Sequence, residues 1–220
     1  MKTALLFDLD GTLVDTDAEH LVAFQQVFAP YGIALDRALY TQKIMGFSNE
    51  LIAREFLGAL TPAEQAAVFD AKEAAYRDNV GELIALPGVV DLLAFADAHG
   101  LKRAVVTNAP RANAEMVLSA LGLDARLPIL VIGAELARAK PDPLPYLTGL
   151  ERTGGLARHS VAFEDSRSGV RSAAAAGLAV VGVTTSLDET ALIEAGATFA
   201  VADYNDKRVV ALIEQRMATA

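Results

Sequence analysis

The hydrophobic pattern changes twice along the chain. A short apolar run, residues 5–7, ends abruptly at Asp8, as expected for a buried strand of a parallel sheet. From residue 15 to about residue 82, apolar positions recur every three or four residues and nothing alternates like a strand. Beyond Leu86, helical and strand-like segments alternate to the end of the chain. The pattern therefore predicts a strand-containing core and a helical insertion.

Residues that start and stop helices refine both regions. In the insertion, Pro30 and Gly32 close the first helix, and Thr61 followed by Pro62 starts the last one. The predicted helices of the insertion span residues 18–31, 36–44, about 49–56 and about 61–79. Further strands are predicted at residues 103–107, 128–132, 160–163, 179–183 and 199–201, with helices between them.

Strands that alternate with helices imply a parallel, doubly wound α/β sheet. The predicted architecture is an α/β core, residues 1–14 and 83–220, into which an all-helical domain, residues 15–82, is inserted after the first strand.

The composition is that of an ordinary globular protein. The 220 residues are 53% hydrophobic and 21% charged, which is enough to bury a sizeable core. A net charge of -9 disfavours nucleic acid and anionic membrane surfaces as partners. The absence of cysteine excludes disulfides and thiolate chemistry. The first apolar run is too short for a signal peptide and no stretch reads as a membrane span, so a cytoplasmic location is expected.

The first strand ends in two carboxylates, Asp8 and Asp10, followed by Gly11. Ligands of open α/β sheets bind beyond the carboxyl ends of the strands, so both side chains are expected beside one ligand. Neighbouring carboxylates repel each other unless a cation or a shared proton separates them. A turn that uses Asp and Gly for its backbone geometry is the alternative explanation.

Later strands also end in polar residues. Thr107 and Asn108 offer a hydroxyl and an amide suited to phosphate oxygens, or else one of them caps the next helix. Lys140 is followed by two prolines that stiffen the backbone, which suits a fixed cation, although exposed lysines are common. Glu164 and Asp165 form a second acidic pair, which either belongs to a site or caps the following helix.

Together these positions resemble the four motifs of the haloacid dehalogenase-like superfamily. Residues 8–12, Asp-Leu-Asp-Gly-Thr, are similar to its first motif, Thr107 to its second, Lys140 to its third and Glu164-Asp165 to its fourth. The order and spacing agree over the whole chain, and the helical insertion looks like the cap of the family's first subclass. Within that subclass, the chain resembles sugar-phosphate phosphatases, phosphoglycolate phosphatase and β-phosphoglucomutase.

The resemblance implies a mechanism. Asp8 would attack phosphorus to form an aspartyl-phosphate, and Asp10 would protonate the leaving alcohol and later deprotonate the attacking water. Asp8, the Asp10 backbone carbonyl and Asp165 would hold Mg²⁺, with Glu164 outside direct contact with it. Because dehalogenases of this family lack the second carboxylate, Asp10 implies chemistry on phosphate esters. The phosphoryl oxygens would be held by Thr107, Asn108 and Lys140.

Residues of the insertion resemble the part of the cap that selects the substrate. His20 has the spacing of a histidine that mutase-like members place near the acid/base, and Lys72 resembles a lysine that contacts substrate; an ordinary surface position is the alternative for each. Gly46 belongs to what looks like the specificity loop. Met45 and Asn49 stand where the mutase has two cations, which weakens the grip on a second phosphate and favours hydrolysis.

The resulting hypothesis is a Mg²⁺-dependent phosphatase that acts on a small phosphorylated metabolite, such as a sugar phosphate or phosphoglycolate. A phosphosugar mutase like β-phosphoglucomutase and a non-catalytic regulator that binds a phosphorylated ligand are the alternatives. A monomer is the default expectation, with a dimer as the alternative.

Overall fold

The computed structural model describes residues 2–45, 47 and 49–218. The chain divides into two compact units. The sheet unit consists of the chain up to Asp15 together with the chain from Leu83 onwards, and the helical unit is Thr16–Glu82. Across the described ranges, every helix is too short or too polar to cross a lipid bilayer.

Parallel strands form the sheet of the sheet unit, which confirms the predicted doubly wound α/β fold. In chain order the strands are β1 (Ala4–Phe7), β2 (Lys102–Thr107), β3 (Leu130–Ile132), β4 (Val161–Glu164), β5 (Ala179–Val183) and β6 (Phe199–Val201). Their order across the sheet is β3-β2-β1-β4-β5-β6. From β1 the strand order runs to β3 in one direction across the sheet, and from β4 it runs to β6 in the other. The boundary between β1 and β4 is thus a topological switch point, where open α/β sheets bind ligands in a crevice.

The helical unit has its own core of aromatic and aliphatic side chains, among them Phe24, Phe28 and Val68. Thr61 begins the last helix with a capping box: its hydroxyl accepts from the Glu64 N–H, and the Glu64 carboxylate accepts from the Thr61 N–H at 2.8 Å. The helices are α1 (Asp17–Phe28), α2 (Arg37–Lys43), α3 (Asn49–Phe56) and α4 (Pro62–Asn79).

Helices of the sheet unit follow the strands. The helix Leu144–Thr153 can pack closely on the sheet only because residue 149 is glycine: a Cβ atom there would lie 2.6 Å from Leu6 Cδ2 and 3.0 Å from Val106 Cγ2. The helices are α5 (Val89–Ala98), α6 (Arg111–Ala120), α7 (Leu144–Thr153), α8 (Arg167–Ala175), α9 (Glu189–Ala195) and α10 (Lys207–Ala218).

An aromatic cluster lies beneath the carboxyl ends of the two central strands. The rings of Phe7 on β1 and Phe163 on β4 stack with centroids 4.7 Å apart, and the ring of Tyr204 lies 5.3 Å from that of Phe163. The Tyr204 hydroxyl donates to the Thr12 carbonyl at 3.0 Å. The cluster thereby supports the loop that follows β1.

Several predicted details differ from the structure, among them two boundaries and the exposure of one histidine. Helix α1 ends at Phe28 rather than at residue 31, because the chain tightens there into a 3₁₀ turn that contains Pro30. Strand β3 begins at Leu130 rather than at residue 128, where a proline has no N–H to offer the ladder. A histidine between predicted elements is expected on the surface, but His159 is only 4% exposed; it ends the 3₁₀ turn Ala157–His159, which Ser160 separates from the buried strand β4.

Candidate active site

A glycine in the loop after β1 lets the segment that carries Asp8 come close to the carboxylate of Asp165. The Asp8 N–H donates to the Phe163 carbonyl at 3.0 Å, so Asp8 continues the ladder between β1 and β4. Gly11 has a φ of 72°, and a Cβ atom there would lie 2.2 Å from Asp165 Oδ2. Only glycine lets the loop approach Asp165 so closely. The backbone does turn here, but turn geometry alone does not explain why the Asp8 carboxylate is buried.

Lys140 is a buried cation, and the alternative of an exposed lysine is wrong. The residue is 8% exposed, and its Nζ lies 2.7 Å from Asp8 Oδ1 and 2.5 Å from Glu164 Oε1. The ammonium group also lies 5.1 Å from the centroid of the Tyr146 ring. One fixed positive charge therefore bridges two carboxylates from different strands.

Glu164 is fully buried and surrounded by donors. Besides Lys140, the Tyr146 hydroxyl donates to its Oε1 at 2.6 Å and the Ser166 hydroxyl donates to its Oε2 at 3.2 Å. A Cβ atom at Gly169 would lie 1.9 Å from Glu164 Oε1, so the first turn of α8 leaves space for this carboxylate. Ser166, not the acidic pair, caps α8 by accepting from the Gly169 N–H at 3.1 Å, so the capping explanation of the pair is wrong.

Asp165 faces the loop after β1. Its Oδ1 accepts from the Thr12 hydroxyl at 3.2 Å, and its Oδ2 accepts from the Ser186 hydroxyl at 2.5 Å. The neighbouring Thr185 hydroxyl donates to the Gly11 carbonyl. Residues that follow β5 thus hold both Asp165 and the loop that touches it.

The acidic cluster has the chemistry of a site for a hard cation. Carboxylate oxygens of Asp8, Glu164 and Asp165 all lie within 4.8 Å of one another. When all three are ionised, Lys140 balances only one of the three negative charges. A set of oxygen ligands with an excess of negative charge suits Mg²⁺. The backbone carbonyl of Asp10 is expected to be a further ligand of the cation, and Asp10 is half-buried in the loop after β1.

Burial controls the electrostatics of the cluster. Loss of solvation, with help from Glu164 and Asp10 and against the opposing pull of Lys140, raises the pKa of Asp8 to about 7. Burial alone would lower the pKa of Lys140, but the carboxylates of Asp8 and Glu164 outweigh it and raise that pKa. Burial and the charge of Glu164 hold the pKa of Tyr146 well above its ordinary value, so its hydroxyl stays a donor.

Thr107 and Asn108, at the end of β2, do not cap α6. The N-cap position of α6 is Pro110, and no side chain caps it. The Thr107 hydroxyl accepts from the Ala109 N–H at 3.0 Å. Asn108 was expected to offer its amide to phosphate oxygens, but the structure places both ends of that amide on the backbone of Lys140.

The predicted residues of the helical unit lie in a cluster of their own. Lys72 is 5% exposed, so it is not an ordinary surface lysine. Its Nζ lies 3.0 Å from His20 Nδ1 and 3.0 Å from Glu73 Oε1. The His20 ring stacks on the Tyr76 ring at 4.2 Å. Gly46 lies outside the described residues.

Sequence reasoning missed two residues that shape the cluster. Tyr146 lies on the buried face of α7, where a tyrosine hydroxyl needs a partner, but periodicity does not reveal which partner it finds. Ser186 follows β5, and the rule that polar residues at strand ends mark the site would have found it.

Comparison with known proteins gives matches over most of this chain. The family model of haloacid dehalogenase-like hydrolases matches residues 5–183. The chain is 34% identical over 205 residues to a phosphorylated carbohydrates phosphatase of Thermotoga maritima, covering 88% of this chain and 91% of that protein. It is 31% identical over 218 residues to a phosphoglycolate phosphatase of Rhodospirillum rubrum, covering 93% of this chain and 88% of that protein.

A solved structure supports the same likeness. The crystal structure of CbbY from Rhodobacter sphaeroides in complex with xylulose-(1,5)bisphosphate superimposes with a TM-score of 0.83 at 27% sequence identity. The match covers 97% of this chain and 99% of that chain.

Because the pKa of Asp8 is raised, the difference in stability between the wild type and Asp8→Asn should depend on pH. Between the ordinary value of 3.8 and about 7, the folded chain keeps a proton that the unfolded chain has lost. Stability therefore falls as the pH rises through this window and stays lower above it. Asp8→Asn removes the charge, so in EDTA its melting temperature should exceed that of the wild type by roughly 2–6 °C at pH 8 and by less at pH 5. An equal difference at both pH values would contradict this account of Asp8.

Tyr146→Phe tests the hydrogen bond to Glu164 while keeping the ring over Lys140. Loss of a hydrogen bond to a buried carboxylate should lower the free energy of unfolding by about 1–3 kcal/mol in urea denaturation. Tyr31→Phe is the matched control, because Tyr31 is exposed and its change should be near zero. Equal effects of the two substitutions would show that the Tyr146 hydroxyl adds nothing to the stability of the cluster.

Proposed function

We propose that this chain, which belongs to the haloacid dehalogenase-like hydrolases and is a hydrolase of phosphoric monoesters, uses Asp8 and Mg²⁺ to remove phosphate from a small phosphorylated metabolite. The observation that carries the proposal is the position of the Asp8 carboxylate. It lies at the switch point of the sheet, bonded to a buried ammonium group and beside two further carboxylates. Names of relatives, which include phosphatases of phosphorylated carbohydrates and of phosphoglycolate, support the class of substrate.

In the first step, an Asp8 oxygen forms a bond to phosphorus while the bond from phosphorus to the alcohol oxygen breaks. Asp10 gives its proton to the departing alcohol. In the second step, a water molecule attacks the aspartyl-phosphate, Asp10 takes a proton from that water, and the bond between Asp8 and phosphorus breaks. Inorganic phosphate leaves, and both aspartates return to their starting states.

Lys140 has two roles in this scheme. Its contact with Asp8 Oδ1 orients the nucleophile, and its charge stabilises negative charge that develops on the phosphoryl oxygens. Thr107, buried at the end of the neighbouring strand, adds a hydroxyl donor to those oxygens. Because these groups are held in place before substrate binds, little reorganisation is needed during the reaction.

Mg²⁺ would be held by Asp8, Asp165 and the backbone carbonyl of Asp10. Glu164 supports the site from outside, since it is fully buried and three donors, one of them the Lys140 ammonium group, already meet its oxygens. When bound, the cation neutralises excess negative charge so that a phosphate dianion can approach the carboxylates.

The helical unit would act as a cap that selects the alcohol part of the substrate. His20 and Lys72 are the candidate contacts, together with Gly46. Because Lys72 Nζ can only donate, the nitrogen it meets at His20 Nδ1 is an acceptor, so the neutral His20 ring carries its proton on Nε2.

The first test is phosphate release from a panel of two- to six-carbon phosphomonoesters, including β-glucose 1-phosphate and phosphoglycolate. Release should require Mg²⁺, stop in EDTA, peak on one ester and fall at least about 1,000-fold in Asp8→Asn. Interconversion of glucose phosphates without release would instead identify a mutase. Binding of phosphorylated ligands without turnover would identify a regulator.

Asp10→Asn separates the two proton transfers when p-nitrophenyl phosphate is the substrate. Its phenolate leaves without needing a proton, so the first step should survive while the second step, which needs a base, is slowed. Stopped-flow absorbance should show a burst of one p-nitrophenolate per active site followed by turnover about 100-fold slower than wild type. A variant that shows no burst and is equally slow in both steps would contradict the assignment of Asp10.

A further inference from the structure

We infer that Asn108 is a positioning residue that acts through the backbone of Lys140 rather than by touching the phosphoryl group. The inference rests on the proposed function, because it assigns Asn108 a part in placing the Lys140 ammonium group beside Asp8. It replaces the role expected from the sequence, in which the Asn108 amide holds a phosphoryl oxygen.

Both ends of the Asn108 amide are used on one residue. The side-chain Nδ2 donates to the Lys140 carbonyl at 3.3 Å, and the Lys140 N–H donates to Asn108 Oδ1 at 3.2 Å. An amide side chain that meets both the N–H and the C=O of one residue fixes the position and the orientation of that peptide segment. The Asn108 side chain thus satisfies both backbone groups of Lys140, which a neighbouring β-strand would otherwise do.

Lys140 needs such support because it lies in an irregular segment. It follows the 3₁₀ turn Gly133–Glu135 and precedes α7, so no helix or strand fixes its backbone. Asn108, in contrast, directly follows β2, which pairs with both β1 and β3. The amide therefore ties the segment that carries the ammonium group to the rigid sheet that carries Asp8.

Gly133 provides the space for this amide. A Cβ atom at Gly133 would lie 2.3 Å from Asn108 Oδ1 and 3.3 Å from Asn108 Cγ. Gly133 is not among the glycines with positive φ, so its backbone tolerates alanine, and the Asn108 side chain is the nearest obstacle, ahead of the Ala139 Cβ at 3.1 Å. Gly133→Ala should therefore displace the amide without changing any residue that meets substrate.

The first experiment is a double-mutant cycle on kcat and KM with p-nitrophenyl phosphate and Mg²⁺. Asn108→Ala and Gly133→Ala should each lower kcat about 10- to 100-fold, because small displacements of a catalytic group are costly. In the double variant the clash with the Asn108 amide is gone and the nearest neighbour of the new Cβ atom is the Ala139 Cβ at 3.1 Å, so kcat should equal that of Asn108→Ala alone. Multiplied effects in the double variant would overturn the link between the two residues.

Gly58→Ala is the matched control, since its Cβ atom would make an ordinary contact of 3.4 Å with the Arg54 carbonyl. Its kcat should stay within two-fold of the wild type. Thermal melts of all variants identify loss of folding, which would lower the concentration of active enzyme rather than kcat per folded molecule.

The second experiment separates positioning from direct contact by repeating Asn108→Ala in a Lys140→Ala background. If Asn108 acts through Lys140, the added substitution should change neither the residual kcat nor the affinity for inorganic phosphate, measured by titration calorimetry, by more than two-fold. A further ten-fold loss in either quantity would show that the amide touches the phosphoryl group and would overturn the inference. A wild-type protein without phosphatase activity would instead refute the proposed function, whatever the variants do.

Discussion

Burial of several like charges at one point is the constraint on which the sheet unit depends. Asp8 and Glu164 both contact the ammonium group of Lys140, and Asp165 brings a third carboxylate oxygen within 4.8 Å of theirs, all with little access to water. Removing ions from water costs several kcal/mol for each ion unless other groups compensate. Much of the surrounding structure supplies that compensation: the loops after β1 and β5, the N-cap residue of α8 and one face of α7 all direct donors at these carboxylates.

The three carboxylates are not compensated equally, and the difference between Glu164 and Asp8 fits different chemical roles. Glu164 receives donors at both oxygens and is the most buried member, which fits a structural role. Asp8 is the member whose charged form burial disfavours most clearly, since its pKa rises to about 7 despite the contact with Lys140. A group held in an unfavourable ionised state is stabilised when a cation or an electrophile arrives, and such groups concentrate at functional sites.

Much of this arrangement was predictable, because parallel strands bring their carboxyl ends to one edge of the sheet. That rule and the resemblance to the four motifs together predicted that Asp8, Thr107, Lys140 and Asp165 lie near each other. It could not tell a ligand from a support, because this depends on side-chain geometry. The amide of Asn108 is the example: its residue type suits a phosphate, but its position turns it toward a peptide.

The insertion after β1 also sets the order in which the chain can assemble during synthesis. The strand that carries Asp8 leaves the ribosome first, but its partner Lys140 lies 132 residues later, and β4 follows after that. The helical unit, complete by Glu82, has its own core and can collapse while β1 still lacks both neighbouring strands. Contacts so distant in sequence carry a large entropic cost of loop closure, which slows folding. We therefore expect the acidic cluster to be among the last parts of the molecule to form, with its charges hydrated until the sheet closes around them.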